Sequence, residues 1–310
     1  MKINLANIKK AKKILDKSDC VAVPTETVYG LAGNAYSDRA CRKIFKLKNR
    51  PKYNPLIVHY HDLENLKKDC ELNRNFFKLY KKLSPGPITY VLNLKKDSKI
   101  SKLVTNNQNS LAVRFPKHPI IKYLLKKLEY PLAAPSANIS SRLSSVSPSD
   151  VKEDFGKKIK YILNGGRSAI GVESTIIDLR KKPKILRLGG LEVKNIKKII
   201  NQQIIDNTNP KRISSPGQTK LHYSPGMPVR LNATRSRNNE AFVILKKAKK
   251  TKKNYFFLSN KGDLKEAAKN LYSVLRKIKK SKFNYIAVKK IPNYGLGKTI
   301  NDRLKRASKY

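Results

Sequence analysis

The stretch from Asp206 to Pro228 sets the outline of any fold this chain can adopt. It holds Asn207, Asn209, Pro210, Ser214, Ser215, Pro216, Gly217, Pro225, Gly226 and Pro228, and no helix or strand interior tolerates such a run of breakers. On either side, apolar residues return to a regular period. The 310 residues therefore divide into two units, 1–205 and 233–310, joined by a linker over 206–232.

Before the linker, helix-like and strand-like segments alternate. Ile8, Ala11, Ile14 and Leu15 have helical spacing, and Cys20 to Val23 reads as a strand. Ala40, Ile44 and Leu47 predict a second helix, and others fall near Phe76 to Leu83 and Ile120 to Leu128. Further strands are expected at Leu56 to Tyr60, Ile88 to Leu92, Leu111 to Phe115, Pro131 to Ala134, Tyr161 to Leu163, Ser174 to Leu179 and Ile185 to Leu188. The fold class is α/β or α+β, a sheet with helical cover. After the linker, Phe242 to Leu245, Tyr255 to Leu258 and Ile286 to Val288 read as buried strands. A helix lies before the last of them, with Asp263 and Glu266 as a capping pair and an apolar stripe from Leu264 to Ile278. A closing helix carries Leu296, Ile300 and Leu304. This second unit is a small αβ domain, expected to have parallel strands.

Composition then narrows the functional classes. Lys plus Arg is 69 against 21 Asp plus Glu, a net charge of +48, which draws in polyanions. The lysines are scattered from Lys2 to Lys309, densest from Lys246 to Lys253, with no arginine-rich block or aromatic RNA-binding motif. The charge reads chiefly as solvated faces, and an RNA-binding protein using a basic concave surface is the alternative function. No apolar run approaches the roughly 18 residues a membrane span needs. The start from Met1 to Lys17 lacks the apolar stretch of a secretory signal. Cys20, Cys41 and Cys70 are far apart and form no C-x-x-C pair, so neither a disulfide scaffold nor a zinc ribbon is expected, and a reducing cytoplasm is.

Two patterns tempt and are set aside. His59 and His61 share one face of a predicted strand, but only His118 and His222 could join them. No metal site is expected, and one His bonding a ligand fits better. Gly297-Lys298-Thr299 resembles the end of a phosphate loop, yet Pro292 stands where that motif needs Gly. It reads as a helix start.

More informative are strand ends rich in small hydroxyl or cationic residues. These are Pro24-Thr25-Glu26-Thr27-Val28-Tyr29-Gly30-Leu31, Lys48-Asn49-Arg50-Pro51, Asn54-Pro55-Leu56-Ile57-Val58-His59 and Ser84-Pro85-Gly86-Pro87. Val113-Arg114-Phe115-Pro116, Ala134-Pro135-Ser136-Ala137-Asn138, Gly171-Val172-Glu173-Ser174-Thr175 and Leu186-Arg187 complete the set. Ligands of α/β sheets collect at strand ends. Lys48, Arg50, Arg114 and Arg187, among hydroxyls, suit a nucleoside triphosphate and a small carboxylate.

P-T-E-T-V-Y-G-L, K-N-R-P, N-P-L-I-V-H, S-P-G-P-I-T, A-V-R-F-P, A-A-P-S-A-N and G-V-E-S-T-I together resemble the L-threonylcarbamoyladenylate synthase family, with its YrdC-like fold. The later S-P-G-x-x-x-x-H-Y-S-P and G-L-G-x-x-I-N-D-R-L are similar to its two-domain form, in which a Rossmann-like αβ domain follows the catalytic one. The resemblance implies a twisted mixed sheet. It implies a reaction joining L-threonine, bicarbonate or CO2, and ATP into threonylcarbamoyl-AMP and pyrophosphate, with Mg2+ bridging the triphosphate. A partner enzyme would then move the threonylcarbamoyl group onto tRNA, next to the anticodon; direct RNA contact would be weak.

By the same resemblance, Thr27, His59, Arg114, Ala134 and Ser174 would hold L-threonine, with Arg114 on its carboxylate. Arg50, Asn54, Ser110, Ser136, Ser144, Arg187 and Tyr223 would hold ATP. Lys48, Arg50, Ser136 and Asn138, from the K-x-R and S-x-N motifs, would form the catalytic group near the phosphates. Two features depart from the family pattern. Leu186-Arg187-Leu188-Gly189 replaces L-R-P-G, and S-P-G-Q-T-K-L-H-Y-S-P lacks the more usual M-K-Y-R-H-Y. The linker, with His222 and Tyr223, is expected to act as a lid.

Overall fold

The computed structural model describes residues 3–208 and 222–309. Within them the first unit runs α1 (Leu5–Asp16), β1 (Val21–Val23), β2 (Gly30–Asn34), α2 (Asp38–Lys48), β3 (Ile57–His59), α3 (Leu63–Lys67), α4 (Arg74–Leu83) and β4 (Ile88–Asn93). It continues through α5 (Lys102–Thr105), β5 (Ser110–Arg114), α6 (Pro119–Lys126), β6 (Leu132–Ala133), α7 (Pro148–Phe155), β7 (Thr175–Asp178), β8 (Lys184–Arg187), α8 (Val193–Ile200) and β9 (Ile205–Asp206). The second unit holds β10 (Val229–Arg230), β11 (Glu240–Lys246), β12 (Tyr255–Ser259), α9 (Leu264–Lys279), β13 (Tyr285–Val288) and α10 (Leu296–Ala307).

Helix starts follow local chemistry. The side chains of Asn4, Ser37, Asp62, Asn73, Ser101, His118, Ser147 and Asp263 each accept a first-turn backbone N–H, satisfying a donor the helix itself leaves open. Asp263 caps Glu266 at 2.7 Å. Glu266 does not return the bond: its carboxylate accepts from the Ser259 hydroxyl and the Asn260 N–H. Only half of the expected box forms.

The first sheet is mixed, ordered β1-β2-β6-β3-β5-β4-β7-β8-β9, and the second is ordered β10-β13-β11-β12 with every pairing parallel. Both agree with the expected fold class. In the second unit α9 and α10 share one apolar cluster, so they cover the same sheet face. Several elements escaped the periodicity. Strand β2 is glycine-bearing, α3 and α5 span a turn or so, and β9 and β10 have two residues each. Tyr161 to Leu163 makes only a single bridge, Ile162 to Ala22, rather than a strand.

The ends of the anticipated 206–232 linker are drawn into the two sheets, β9 against β8 and β10 against β13. Residues 209–221, including Asn209, Pro210, Ser214, Ser215, Pro216 and Gly217, lie outside the described residues. Gly297-Lys298-Thr299 opens α10, and the Thr299 hydroxyl donates to the Gly189 carbonyl at 3.0 Å.

The two units share a core. Val28, Leu143, Val146 and Val172 of the first pack with Ala268, Leu271, Leu275 and Ile300 of the second. Arg276 of α9 adds a buried ion pair to Asp154 at 2.6 Å and a hydrogen bond to the Leu143 carbonyl at 2.8 Å. At Gly171, with φ +79°, a Cβ would lie 2.5 Å from the Lys269 backbone. Gly171→Ala should therefore cost more than about 2 kcal/mol, combining left-handed strain with overpacking against α9. Gly156→Ala has φ 53° and ψ −128° but open space around it, so it should cost about 1–3 kcal/mol of backbone strain alone. Urea unfolding of both variants tests this; equal losses would mean that α9 yields freely.

Candidate active site

Side chains alternate across a strand, and this sheet uses its two faces differently. Val58, Val113, Tyr90 and Ile177 belong to the main core. The opposite face carries Ile57, Val91, Ala112, Ile176 and Leu186 as a small separate cluster, with His59, Arg114 and Ser174 in the same alternation. Above this floor lies a narrow cleft that opens to solvent. His59, Arg114 and Arg187 are the last residues of β3, β5 and β8, Ala134 directly follows β6 and Ser174 directly precedes β7, so the motifs meet at strand ends as expected.

Register places His59 directly beside Arg114, because β3 and β5 are parallel. The Arg114 Nη2 donates to Glu26 Oε1 at 2.6 Å, and its Nε points to the Gly86 carbonyl at 3.4 Å. Burial would raise the Glu26 pKa, but Arg114 holds it below the ordinary value. Burial, reinforced by Arg114, pushes His59 well down, so its ring is neutral. Its Nδ1 is buried without a partner among the described residues. The P-T-E-T turn is tied by Thr25, whose hydroxyl donates to the Val28 carbonyl at 2.6 Å and lies 2.8 Å from the Thr27 hydroxyl.

The other side of the cleft is cationic. Arg50 donates through Nε to the Asn54 carbonyl at 3.0 Å and through Nη2 to Asn54 Oδ1 at 2.6 Å and the Pro55 carbonyl at 2.8 Å. All three partners are neutral. Burial, then the nearby Arg187, lowers the Arg50 pKa to about 9, which still leaves it charged at neutral pH. Arg187 donates to the Ser174 carbonyl at 3.0 Å and the Ser174 hydroxyl at 3.1 Å. His222 and Tyr223 close this side, their ring centroids 3.9 Å apart. Burial first, with Arg50, Arg303 and Arg187 adding to it, brings His222 down to about 3 against the opposing pull of Glu173. His222 Nδ1 and the Tyr223 hydroxyl are also buried without a partner among the described residues.

Glu173 forms the remaining wall. It accepts from the Ser144 hydroxyl at 2.5 Å and from Arg303 Nε at 2.9 Å, and the Tyr272 hydroxyl lies 3.0 Å from both its oxygens. Burial opposes its charge, but Arg303, then Arg187 and Ser144, hold its pKa at about 2.

The structure thus brings Arg50, His59, Arg114, Ala134, Ser136, Ser174, Arg187 and Tyr223 onto one cleft. Others stand behind its lining. Lys48 turns its ammonium into the Ser136 carbonyl at 2.6 Å and the Asn138 carbonyl, away from the cleft. Asn138 donates to the Ile139 and Arg142 carbonyls at 2.7 and 3.0 Å, so these two residues shape the turn that presents Ser136. Asn54 orients Arg50, Thr27 supports the Thr25 turn, and Ser144 bonds Glu173. Ser110 begins β5 at the end away from Arg114 and lies outside the lining. Glu26 and Glu173 stand inside their motifs with no role expected from sequence, although a carboxylate in a small, neutral motif is itself a signal of a buried partner. Among the described residues no group of His, Cys, Asp and Glu could hold a metal ion, and none of the helices is long and apolar enough to cross a membrane.

A family model described as telomere recombination matches residues 13–189, and one described as threonylcarbamoyl-AMP synthase, C-terminal domain, matches residues 191–309. Threonylcarbamoyl-AMP synthase of Pyrococcus abyssi is 36% identical over 327 residues, 98% of this chain and 94% of its own. The chain belongs to the threonylcarbamoyl-AMP synthase family. The Bacillus subtilis family member is 33% identical, with the same coverage of both chains. The crystal structure of P. abyssi Sua5 complexed with L-threonine matches with a TM-score of 0.92 at 33% identity, covering 100% of this chain and 96% of that one.

The buried imidazoles give this synthase-family site a pH signature. An unfolded His binds a proton near 6.5, whereas folded His222 does so only near about 3. Between those values the unfolded state holds more protons, so stability falls as pH drops. Glu173 acts lower: its contribution is complete above 4.5 and is lost as pH falls toward about 2. The urea midpoint should therefore decline from pH 7.5 to 5, and His222→Gln should flatten part of that decline. A constant wild-type midpoint over this range would show the rings open to protonation in the fold.

Proposed function

We propose that this chain forms threonylcarbamoyl-AMP and pyrophosphate from L-threonine, bicarbonate or CO2, and ATP. The observation that carries the reading is the pairing, within one cleft, of a cationic side with a small polar side. Arg50, buried and opposite no carboxylate, stands with Arg187, His222 and Tyr223 on the nucleotide side. Arg114, His59, Ala134 and Ser174 form the amino-acid side. A charged guanidinium surrounded only by neutral oxygens is poorly compensated until an anion arrives.

The chemistry needs positioning more than a protein nucleophile. The threonine amine attacks the carbon of CO2, forming the N–C bond as one C=O π bond opens onto oxygen, and the nitrogen's proton passes to solvent water. A carbamate oxygen then attacks the α-phosphorus, and the bond to the leaving pyrophosphate breaks. Arg50 and Arg187 would stabilise charge on the phosphates as it shifts. Arg114 would bind the threonine carboxylate while Glu26 fixes its orientation, and neutral His59 would hydrogen-bond the amino acid through Nδ1. Ser136 would face the phosphates, its turn held by Lys48 and Asn138. Magnesium would neutralise the leaving pyrophosphate. The lining carboxylate, Glu173, is committed to Arg303 and Ser144, so the ion would travel on phosphate oxygens rather than in a carboxylate cage.

The product is a mixed anhydride, reactive toward water. His222 and Tyr223 would shield it, as the lid reading requires, before a partner enzyme moves the threonylcarbamoyl group to tRNA. The buried, enclosed cations favour a small-molecule site over a surface that tracks RNA, whose contacts would be solvent-facing and salt-sensitive. Three buried free cysteines fit a cytoplasmic setting.

Pyrophosphate release should require L-threonine, bicarbonate and ATP together. Arg50→Ala should reduce it by a factor of about 10²–10³, with the melting temperature unchanged or raised, since an uncompensated buried charge is gone. Wild-type turnover in that variant would remove Arg50 from the nucleotide side.

A further inference from the structure

The second unit reaches into the wall of the cleft. Arg303, on α10, is 1% exposed. Its Nε donates to Glu173 at 2.9 Å, its Nη2 to the Leu188 carbonyl at 2.6 Å and its Nη1 to Asp302. The Cζ of the same guanidinium lies over the Tyr223 ring, 4.5 Å from its centroid. Tyr223 is in turn stacked on Tyr272 of α9, with centroids 5.9 Å apart and planes at 22°. Three backbone segments that carry cleft-lining side chains therefore meet on one side chain. They are the Glu173-Ser174 turn, the chain just after Arg187, and the His222-Tyr223 segment. The chain after Arg187 and the His222-Tyr223 segment lie on the cationic side of the cleft, and Glu173 faces them while Ser174 borders the amino-acid side; neither His59 nor Arg114 hydrogen-bonds Arg303.

We infer that Arg303 is a positioning residue for the nucleotide side of the site, through which the second unit sets the places of Tyr223, Glu173 and the end of β8. This inference rests on the proposed function. A guanidinium suits the task because its several N–H groups fan out in one plane: one meets a carboxylate, another a carbonyl, and the delocalised charge sits over a ring. Lysine would keep the charge opposite Glu173 but could not make all three contacts. Charge balance and positioning are therefore separable.

The test uses the full chain as wild type, Arg303→Lys, and the double variant Arg303→Met with Glu173→Gln. Pyrophosphate release is measured against ATP and against L-threonine, with calorimetric binding of ATP and of L-threonine and thermal unfolding on the same samples. Arg303→Lys should bind L-threonine within about twofold of wild type, while its ATP affinity or kcat falls about tenfold. The double variant should stay folded, since the Arg303–Glu173 pair is removed as a unit and Asp302 keeps Arg306, and remain as slow. Wild-type ATP binding and kcat in Arg303→Lys would overturn the inference. So would an equal loss toward both substrates, recovery of full rate in the double variant, or unfolding of both variants, each of which places Arg303 in charge balance or in the fold alone. A wild-type chain that releases no pyrophosphate would overturn the proposed function instead, and the ATP affinities would still decide the place of Arg303.

Discussion

A carboxylate that is 4% exposed can stay ionised only if charges and hydrogen-bond donors converge on it, and Glu173 imposes that demand on the whole molecule. Its partners come from distant stretches of sequence: Ser144 from a loop of the first unit, Tyr272 from α9 and Arg303 from α10. Leaving one such charge unpaired costs about 3–5 kcal/mol, a large part of a typical domain's stability. The two units are therefore held in one relative placement by electrostatics as well as by their shared apolar cluster. Glu26 and Arg114 repeat the logic across the cleft, joining the first turn to β5.

The second constraint is the unequal treatment of the two sheet faces. One face is filled by the helices and the main core. The other is covered by α1 and α6 over β1, β2 and β6, whereas over β3, β5, β4, β7 and β8 its floor is Ile57, Ala112, Val91, Ile176 and Leu186, with the cleft-lining loops above them. A concave surface over a sheet gives short approaches to many backbone turns at once. That is why motifs separated by more than a hundred residues, such as His59 and Arg187, can line a single cleft. Gly189 illustrates how tightly the loops are drawn together: a Cβ there would lie 2.3 Å from the Ser174–Thr175 backbone.

What was legible in the sequence follows from the same physics. Periodicity revealed α2, α4, α6, α9 and most long strands, because each buries one regular stripe or face. It missed β2, where glycines take the place of apolar residues, and β9 and β10, which two residues cannot signal. The motifs marked most of the cleft lining because their Arg, Ser and His are chemically conspicuous. They did not separate residues that face the cleft from residues that shape it. Lys48 and Asn138 look like phosphate ligands by type, yet the Lys48 ammonium and the Asn138 amide nitrogen are taken up by backbone carbonyls, and only Asn138 Oδ1 is left without a partner among the described residues. Nothing local to Arg303 predicts Glu173, since 130 residues separate the partners.

Arg50 brings these arguments together. Its neighbours Asn54 and Pro55 hold it rigidly but supply no negative charge, while Glu26 and Glu173 are each already matched to another arginine. The compensated pairs thus serve the architecture, and the uncompensated cation is left for a ligand. Neutral His59 and His222 extend the pattern: burial removes their charge, so they contribute hydrogen-bonding atoms without adding to the positive field. A site assembled in this way carries its binding energy as unfinished electrostatics. An incoming polyphosphate would relieve a strain that the fold has already built, so ligand binding and folding stability draw on the same residue.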